Sequence, residues 1–137
     1  MYLTESIIST EVKKVHNLKK GTLYVFDNFI VSEFNEGIIL DFDCIVEVYH
    51  YLNLYSKNKH NFGYISNRIH QYTVKVTDFM KANVLAQKMY PSAVVAYDEA
   101  SKNTFKFEKQ LNNCHAILCD SLENAVVYLT GVLTKVC

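Results

Sequence analysis

The stretch that decides the fold is Phe62-Gly63-Tyr64-Ile65-Ser66-Asn67-Arg68, a short apolar run that ends in polar residues. It is too short for a helix of its own, and helical patterns lie on both sides of it. These features predict a buried central strand in an α/β sheet. Because binding sites in such sheets form at the carboxyl ends of the strands, the polar end of this stretch is the first candidate site.

The size and charge of the chain limit what it can be. It has 137 residues, half of them apolar, which predicts a single domain over residues 1–137 with one core. The 14 basic and 14 acidic residues balance. Since no overall charge attracts a phosphate backbone, we expect no nucleic-acid partner.

The sequence also predicts a compartment. Residues 1–6 lack the basic start and apolar core of a signal peptide, and no uncharged apolar run approaches the roughly 20 residues that span a bilayer. We therefore expect a cytoplasmic protein with no transmembrane segment. The cysteines form no dense framework, which predicts reduced thiols; they are Cys44, Cys114, Cys119 and Cys137.

Before the central strand, the strongest signal is a hairpin: two β-rich runs, 22–26 and 29–34, flank the turn Asp27-Asn28. Residues 1–20 are ambiguous between a helix turn and an irregular edge strand. We expect the edge strand, in which the lysines at 13, 14, 19 and 20 would also discourage sheet-to-sheet association. After a turn at 35–37, helical spacing predicts an amphipathic helix capped by Asp41 or Asp43. Its predicted apolar stripe comprises Phe42, Ile45, Val46, Tyr49 and Leu52.

After the central strand, strands and helices alternate. We expect a helix that starts at Thr77-Asp78, carries Phe79, Ala82, Ala86 and Met89, and ends before Pro91. A strand at 92–97, a helix at 98–111 that buries Phe107 and Leu111, a strand at 115–119 and a helix at 120–136 complete the chain. The last helix is capped by Asp120 or Ser121, and Glu123 can complete a capping box with Asp120. The fold class is α/β: a mixed sheet of about four to five core strands, led by an antiparallel hairpin and continued by parallel pairs, with helices mainly on one face.

The same residues carry a resemblance. The segments at 21–24, 27–33, 35–37, 62–68 and 120–125, taken in this order, resemble small bacterial STAS/SpoIIAA-like proteins of the kind seen in Bacteroidetes. The resemblance covers most of the chain from about Gly21 onward. It implies a mixed sheet and a non-enzymatic role in regulation or ligand binding. Anti-sigma-factor antagonists of this family carry a phosphorylatable serine in an Asp-Ser-Ser-Gly-like segment, whereas residues 66–72 here contain no Asp-Ser-Ser, and Ser66 lies nearest to that position.

Two groups of residues are candidates for binding a ligand or a partner. At the end of the central strand, a guanidinium could clamp a carboxylate or phosphate while aromatic rings cover an apolar tail; equally, Arg68 could cap carbonyls or pair with a surface acid. On the first helix, three tyrosines could form a docking face or simply place their hydroxyls at the domain rim. The candidates are Ser66, Asn67, Arg68, His70 and Tyr72 at the strand end, and Tyr49, Tyr51 and Tyr55 on the helix.

Catalytic and metal motifs are weak by comparison. Cys114, His115 and Cys119 lie close in sequence, but their spacing does not match a zinc knuckle, so we expect a structural role and no metal or cofactor. There is no Gly-x-Ser-x-Gly elbow or glycine-rich phosphate loop. We therefore expect a non-enzymatic domain that binds a protein partner or a second copy through the edge strand or the tyrosine-rich helix. The alternative is a sensor of a small amphipathic ligand that binds near Arg68 and Tyr72.

Overall fold

The computed structural model describes residues 1–57, 59, 61–75, 77–78, 81, 90–112 and 116–135. Two short 3-10 helices, Leu3–Glu5 and Ile7–Glu11, precede the first strand. The strands in chain order are β1 (Lys14–Leu18), β2 (Gly21–Val25), β3 (Phe29–Phe34), β4 (Ile39–Leu40), β5 (Gly63–Arg68), β6 (Thr73–Val74), β7 (Ser92–Ala96) and β8 (Ile117–Cys119). The helices whose bounds lie within the described residues are α1 (Phe42–Ser56), α2 (Glu99–Asn112) and α3 (Leu122–Lys135), and residues 77, 78 and 81 are also helical.

Six of these strands form one mixed sheet in the order β1-β2-β3-β5-β7-β8. The first three strands pair antiparallel, and every pair from β3 onward is parallel. Strand β5 lies between β3 and β7, so the expected central strand and the hairpin-led mixed sheet are confirmed. The sheet has six strands rather than four to five. Strands β4 and β6 form a separate parallel pair, which two residues each are too few to reveal by pattern.

The amino-terminal part of the sheet follows the sequence closely. The amide of Phe26 donates to the carbonyl of Phe29 across the predicted turn at 2.9 Å. The edge strand is confirmed over Lys14–Leu18, where β1 pairs only with β2 in the sheet order. The part of the segment before it is not a strand, because Leu3 and Ile8 turn inward from 3-10 helices and reach the core.

Because successive side chains of each strand point to opposite faces of the sheet, the core has two layers. On one face, α1 covers residues of β2 and β3, and α2 adds Phe105 against Val94. On the other face, α3 packs with the amino-terminal segment against Val31, Ile65 and Val95. The residues of β5 divide accordingly, since successive side chains point to opposite faces. Two of the three helices thus lie on the first face.

The helices differ from expectation in two side chains. Asp41 caps α1, with its carboxylate accepting from the Cys44 amide at 3.2 Å, but Val46 is 46% exposed and does not face the sheet. In α2, Phe107 is 56% exposed and Phe105 is buried instead. Among residues 99–110 of α2, the buried positions are 101, 105 and 108, a helical face that contains a serine and a glutamate. Because two of these three residues are polar, the sequence did not show which face of the helix is buried.

The last helix begins as expected, with one difference. The Ser121 hydroxyl accepts from the Asn124 amide at 3.1 Å and caps α3. Glu123 bonds elsewhere, accepting from the Ser6 hydroxyl at 2.9 Å. The predictions for residues 79, 82, 86, 89, 114, 115 and 137 and for the side chain of Leu111 lie outside the described residues. Within the described part of the chain, no helix is long and apolar enough to cross a membrane.

Candidate functional site

The end of β5 sends its polar side chains in two directions. Ser66 and Arg68 point to the face that α1 and α2 cover, and Asn67 points to the face covered by α3 and residues 1–11. All three side chains are buried. The strand end therefore has two separate polar clusters rather than the one polar loop that the sequence suggested.

Arg68 is held by an acid on α2. Its two terminal nitrogens lie 2.7 and 3.1 Å from the two carboxylate oxygens of Glu108. Both residues are buried, which gives a bidentate pair in a low-dielectric environment. Of the two readings of Arg68, pairing with an acid is the observed one, although the pair lies in the interior and not on the surface.

Aromatic rings complete the surroundings of Arg68. The guanidinium lies 5.9 Å from the ring centre of Tyr72 and 5.8 Å from that of Phe105, within the range of a cation–π contact. Burial alone lowers the pKa of Arg68, but Tyr72 and Glu108 outweigh it and raise the pKa. Arg68 Nε has no hydrogen-bond partner among the described residues. Arg68 and Tyr72 thus meet, as the sequence suggested, but the charge is already matched within the fold.

Ser66 belongs to the same interior. Next to it on β5, the Tyr64 hydroxyl lies 2.5 Å from the Ser32 hydroxyl of β3. Burial raises the pKa of Tyr64 to about 12, and burial also raises the pKa of Tyr72. Ser66 is only 7% exposed, so its hydroxyl is not presented to a modifying enzyme in this conformation.

A cleft of about 100 Å³ opens beside this cluster. It lies between the chain after β5 and the first turns of α2. Sites for drug-sized ligands occupy roughly 300–1,000 Å³, so this cleft is smaller than such a site. The residues that line it are Arg68, His70, Gln71, Tyr72, Ala100, Ser101 and Thr104.

Asn67 lies at the centre of the second cluster. Its amide nitrogen donates to a carboxylate oxygen of Glu33 at 2.6 Å and to the Met1 carbonyl at 3.0 Å. Its amide oxygen accepts from the Tyr97 hydroxyl at 2.7 Å. The same Glu33 oxygen accepts from the Leu3 amide at 2.6 Å. Glu33 of β3 and Asn67 of β5 thus bind the backbone of the amino-terminal segment, and Tyr97, which follows β7, holds Asn67 in place.

His70 joins this segment from the side. One ring nitrogen lies 3.0 Å from the Tyr2 hydroxyl, and the other lies 3.1 Å from a Glu36 carboxylate oxygen. The rings of Tyr2 and His70 meet edge to face at 5.4 Å. His70 therefore connects residues 1–11 with the turn after β3.

The three tyrosines of α1 are partly buried against the sheet. The His16 ring of β1 stacks on Tyr51 at 4.4 Å, and His16 Nε2 lies 2.5 Å from the Tyr55 hydroxyl. Burial, and then the charge of Lys14, lower the pKa of His16. Tyr49, Tyr51 and Tyr55 therefore hold α1 on the edge of the sheet instead of presenting a tyrosine face to solvent.

The outer side of α1 carries a different set of residues. Val46 is 46% exposed and Leu54 is 52% exposed, and His50 between them is also exposed. These positions are spaced i, i+4 and i+8 and lie on one face of the helix. Asp43 and Lys57 extend the line at its two ends, and both are exposed. We call these five residues the α1 stripe.

Sequence reasoning missed the acids and the amino-terminal residues of the site. Glu33 and Glu108 are far from β5 in sequence, and Leu3 lies in a segment without a clear pattern. Alternation along β3, which places Glu33 with Phe29 and Val31, was the one signal for a buried acid. Among the described residues, no three His, Cys, Asp or Glu side chains lie close enough to hold a metal ion. Protein-family models, curated proteins and solved structures contain no match to this chain.

Proposed function

We propose that this chain is a non-enzymatic interaction domain of the STAS/SpoIIAA-like type that binds a second copy of itself through the α1 stripe. The observation that carries the proposal is the symmetry of the stripe. Val46 and Leu54 lie four residues on either side of His50, and Asp43 and Lys57 lie seven residues on either side. Such a line is self-complementary when two helices pack antiparallel.

The antiparallel arrangement pairs every member of the stripe. A two-fold axis at His50 brings Val46 of one copy against Leu54 of the other, so that two exposed apolar side chains leave water. It also places Asp43 beside Lys57 of the second copy. Because Asp43 lies in the first turn of α1 and Lys57 directly follows its last residue, both pairs of charges are opposite in sign.

The small size of the interface between the two α1 helices limits the expected affinity of the dimer. Fifteen helical residues span about 22 Å, which is short for an interface, and stable interfaces bury about 1,200–2,000 Å² in total. We therefore expect a weak dimer with a Kd in the micromolar range. The edge strand β1 is a poorer interface, because Lys13 and Lys14 place positive charge along it.

The contacts of the charged and polar residues at the strand end support a non-enzymatic, regulatory role. The only arginine of the strand end pairs with Glu108, and Asn67 and Glu33 bind the chain's own backbone. These groups stabilise the fold instead of converging on an open, ligand-sized cavity. A second candidate function, a sensor of a small polar ligand, is favoured by the cleft beside His70 and Tyr72. Native mass spectrometry separates the two, since a sensor retains a molecule of discrete mass.

Sedimentation equilibrium tests the dimer. At about 100 µM the unmodified chain should sediment as a monomer–dimer mixture, and Val46→Glu should sediment as a monomer because it buries a charge in the seam. Val127→Glu is the matched control, because Val127 is 72% exposed on α3, outside the stripe. A monomer at every concentration, or an equal effect of the two substitutions, contradicts the proposal.

A further inference from the structure

Residues 1–6 lie on the chain in the manner of a bound peptide. The carbonyl of Met1 and the amide of Leu3, the two backbone groups that flank Tyr2, bond to side chains of the sheet. Backbone bonds of this kind supply affinity without regard to side chains. Asn67 and Glu33 make these bonds, and the Tyr97 hydroxyl donates to the Asn67 amide oxygen. The three side chains lie at the ends of β3, β5 and β7, and we call them the sheet-end socket.

Side chains of the segment add specificity. Leu3 is 0% exposed and belongs to the core cluster that contains Val31 and Ile65. The Tyr2 hydroxyl bonds to His70, and the Ser6 hydroxyl donates to Glu123 at 2.9 Å. The segment whose side chains fit this surface therefore has a tyrosine, a leucine directly after it, and a hydroxyl residue three positions later.

The socket residues bond to one another as well as to the segment. Asn67 accepts from Tyr97 and donates to Glu33, so its amide plane is fixed by the sheet alone. The remaining Asn67 hydrogen and the Glu33 oxygen then point at the place where a peptide backbone lies. A preorganised acceptor and donor of this kind reduce the entropy lost on binding.

We propose that the sheet-end socket is a peptide-binding site that residues 1–6 occupy in cis, and that a Tyr-Leu-containing segment of a partner protein binds there by displacing them. The occupant is chosen by the chemistry of the bound segment itself: an internal Tyr-Leu pair in which the tyrosine is extended and the leucine begins a turn of 3-10 helix, followed by a serine or threonine. The site lies on the α3 side of the sheet, away from the α1 stripe, so the proposal does not depend on the dimer.

The probe is an acetylated, fluorescein-labelled peptide of the sequence Met-Tyr-Leu-Thr-Glu-Ser. In the full chain the attached segment competes at a high effective concentration, so the unmodified protein should bind the peptide weakly. Leu3→Ala weakens the attached segment, and this variant should bind the peptide at least about tenfold more tightly than the unmodified chain. A peptide with alanine in place of leucine should lose at least about tenfold in affinity.

The contribution of the sheet-end socket to peptide binding is tested by adding Tyr97→Phe to the Leu3→Ala chain. This substitution removes the hydroxyl that holds Asn67. We expect a several-fold loss of peptide affinity, and no loss for Tyr90→Phe, a matched substitution beside α1. Equal binding by all chains, or no binding by the Leu3→Ala chain, overturns the proposal. An oligomer of the unmodified chain that the added peptide dissociates identifies a second copy as the occupant and overturns the assignment to a partner protein.

Hydrogen exchange on the unmodified chain provides a test that needs no variant. If the segment leaves the socket while the sheet stays folded, the Leu3 amide should exchange at least about 100-fold faster than the amide of Val95, which is 0% exposed in the central sheet. Equal rates mean that the segment opens only on global unfolding. That result excludes displacement by a partner.

Discussion

Arg68 on β5 and Glu108 on α2 form a bidentate ion pair, at 2.7 and 3.1 Å, in which both side chains are buried. Burying two charges costs several kcal/mol per ion, and the two hydrogen bonds and the rings of Tyr72 and Phe105 offset this cost. The pair fixes α2 on the central strand. Arg68 is thereby a structural residue of the fold, and its charge is matched within the interior.

Removing one partner of this pair should be strongly destabilising. Glu108→Ala leaves the Arg68 charge buried without a carboxylate, and we expect a loss of about 3–5 kcal/mol in the free energy of unfolding. Urea denaturation measures it. Asp120→Ala is the control, because Asp120 pairs with Lys102 at 3.6 Å in an exposed position and should cost less than about 1 kcal/mol. Equal losses would show that Arg68 is not held as described.

Tyr64 should make the fold sensitive to alkali. Burial raises its pKa from 10.0 to about 12, so the native state favours the neutral phenol. Its contribution to stability is therefore complete below pH 10 and is lost as the pH rises through about 12. Two pKa units correspond to roughly 3 kcal/mol. Tyr64→Phe should remove this part of the pH dependence in urea titrations at pH 9 to 12, and an unchanged pH dependence would contradict it.

His16 should titrate below its ordinary pKa of 6.5, because burial and Lys14 disfavour the imidazolium. A lowered pKa means that His16 contributes stability above about pH 6.5 and loses it as the pH falls through the folded pKa. Two-dimensional NMR of the imidazole resonances measures this value directly. Lys14→Gln should raise it, and Lys13→Gln serves as the control. A pKa above 6.5 is incompatible with the packing of His16 on Tyr51 and Tyr55.

The charges of the α1 stripe offer a test of orientation. Asp43→Lys alone should weaken the dimer by several-fold, because it faces Lys57 of the second copy. The double variant Asp43→Lys and Lys57→Asp should restore the affinity, since each new pair is again opposite in sign. Sedimentation equilibrium at low salt measures both. No rescue in the double variant would contradict the antiparallel arrangement.

The elements with a regular hydrophobic pattern could be predicted from the sequence. The hairpin around Asp27-Asn28, the helix after Asp41 and the strand that ends at Arg68 each have a period and a turn or cap of their own. Residues that obey such patterns fold by interactions between near neighbours in the chain. The parallel pairs could be predicted as well, because a strand–helix–strand unit needs a crossover connection.

Contacts between residues that are far apart in the sequence could not be predicted. Glu108 lies 40 positions from Arg68, and Leu3 lies 30 positions from Glu33. A glutamate on an exposed-looking helix gives no sign that it is buried, so Phe107 and not Phe105 looked like the inward residue. Similarly, the sequence left open whether the tyrosines of α1 form a docking face or lie at the domain rim, because nothing in it places His16 against them. The α1 stripe could be recognised only from the exposure of its side chains in the structure.

The most direct test of the proposed dimer is oxidation of the His50→Cys variant. The two-fold axis passes beside position 50, so the two Cys side chains should lie close enough to join, which requires Cα atoms within about 7 Å. The expected result is a covalent dimer on a non-reducing gel that the unmodified chain and Val127→Cys do not form under the same oxidant. If His50→Cys cross-links no more than Val127→Cys, the α1 stripe does not join two copies and the proposed interface is wrong.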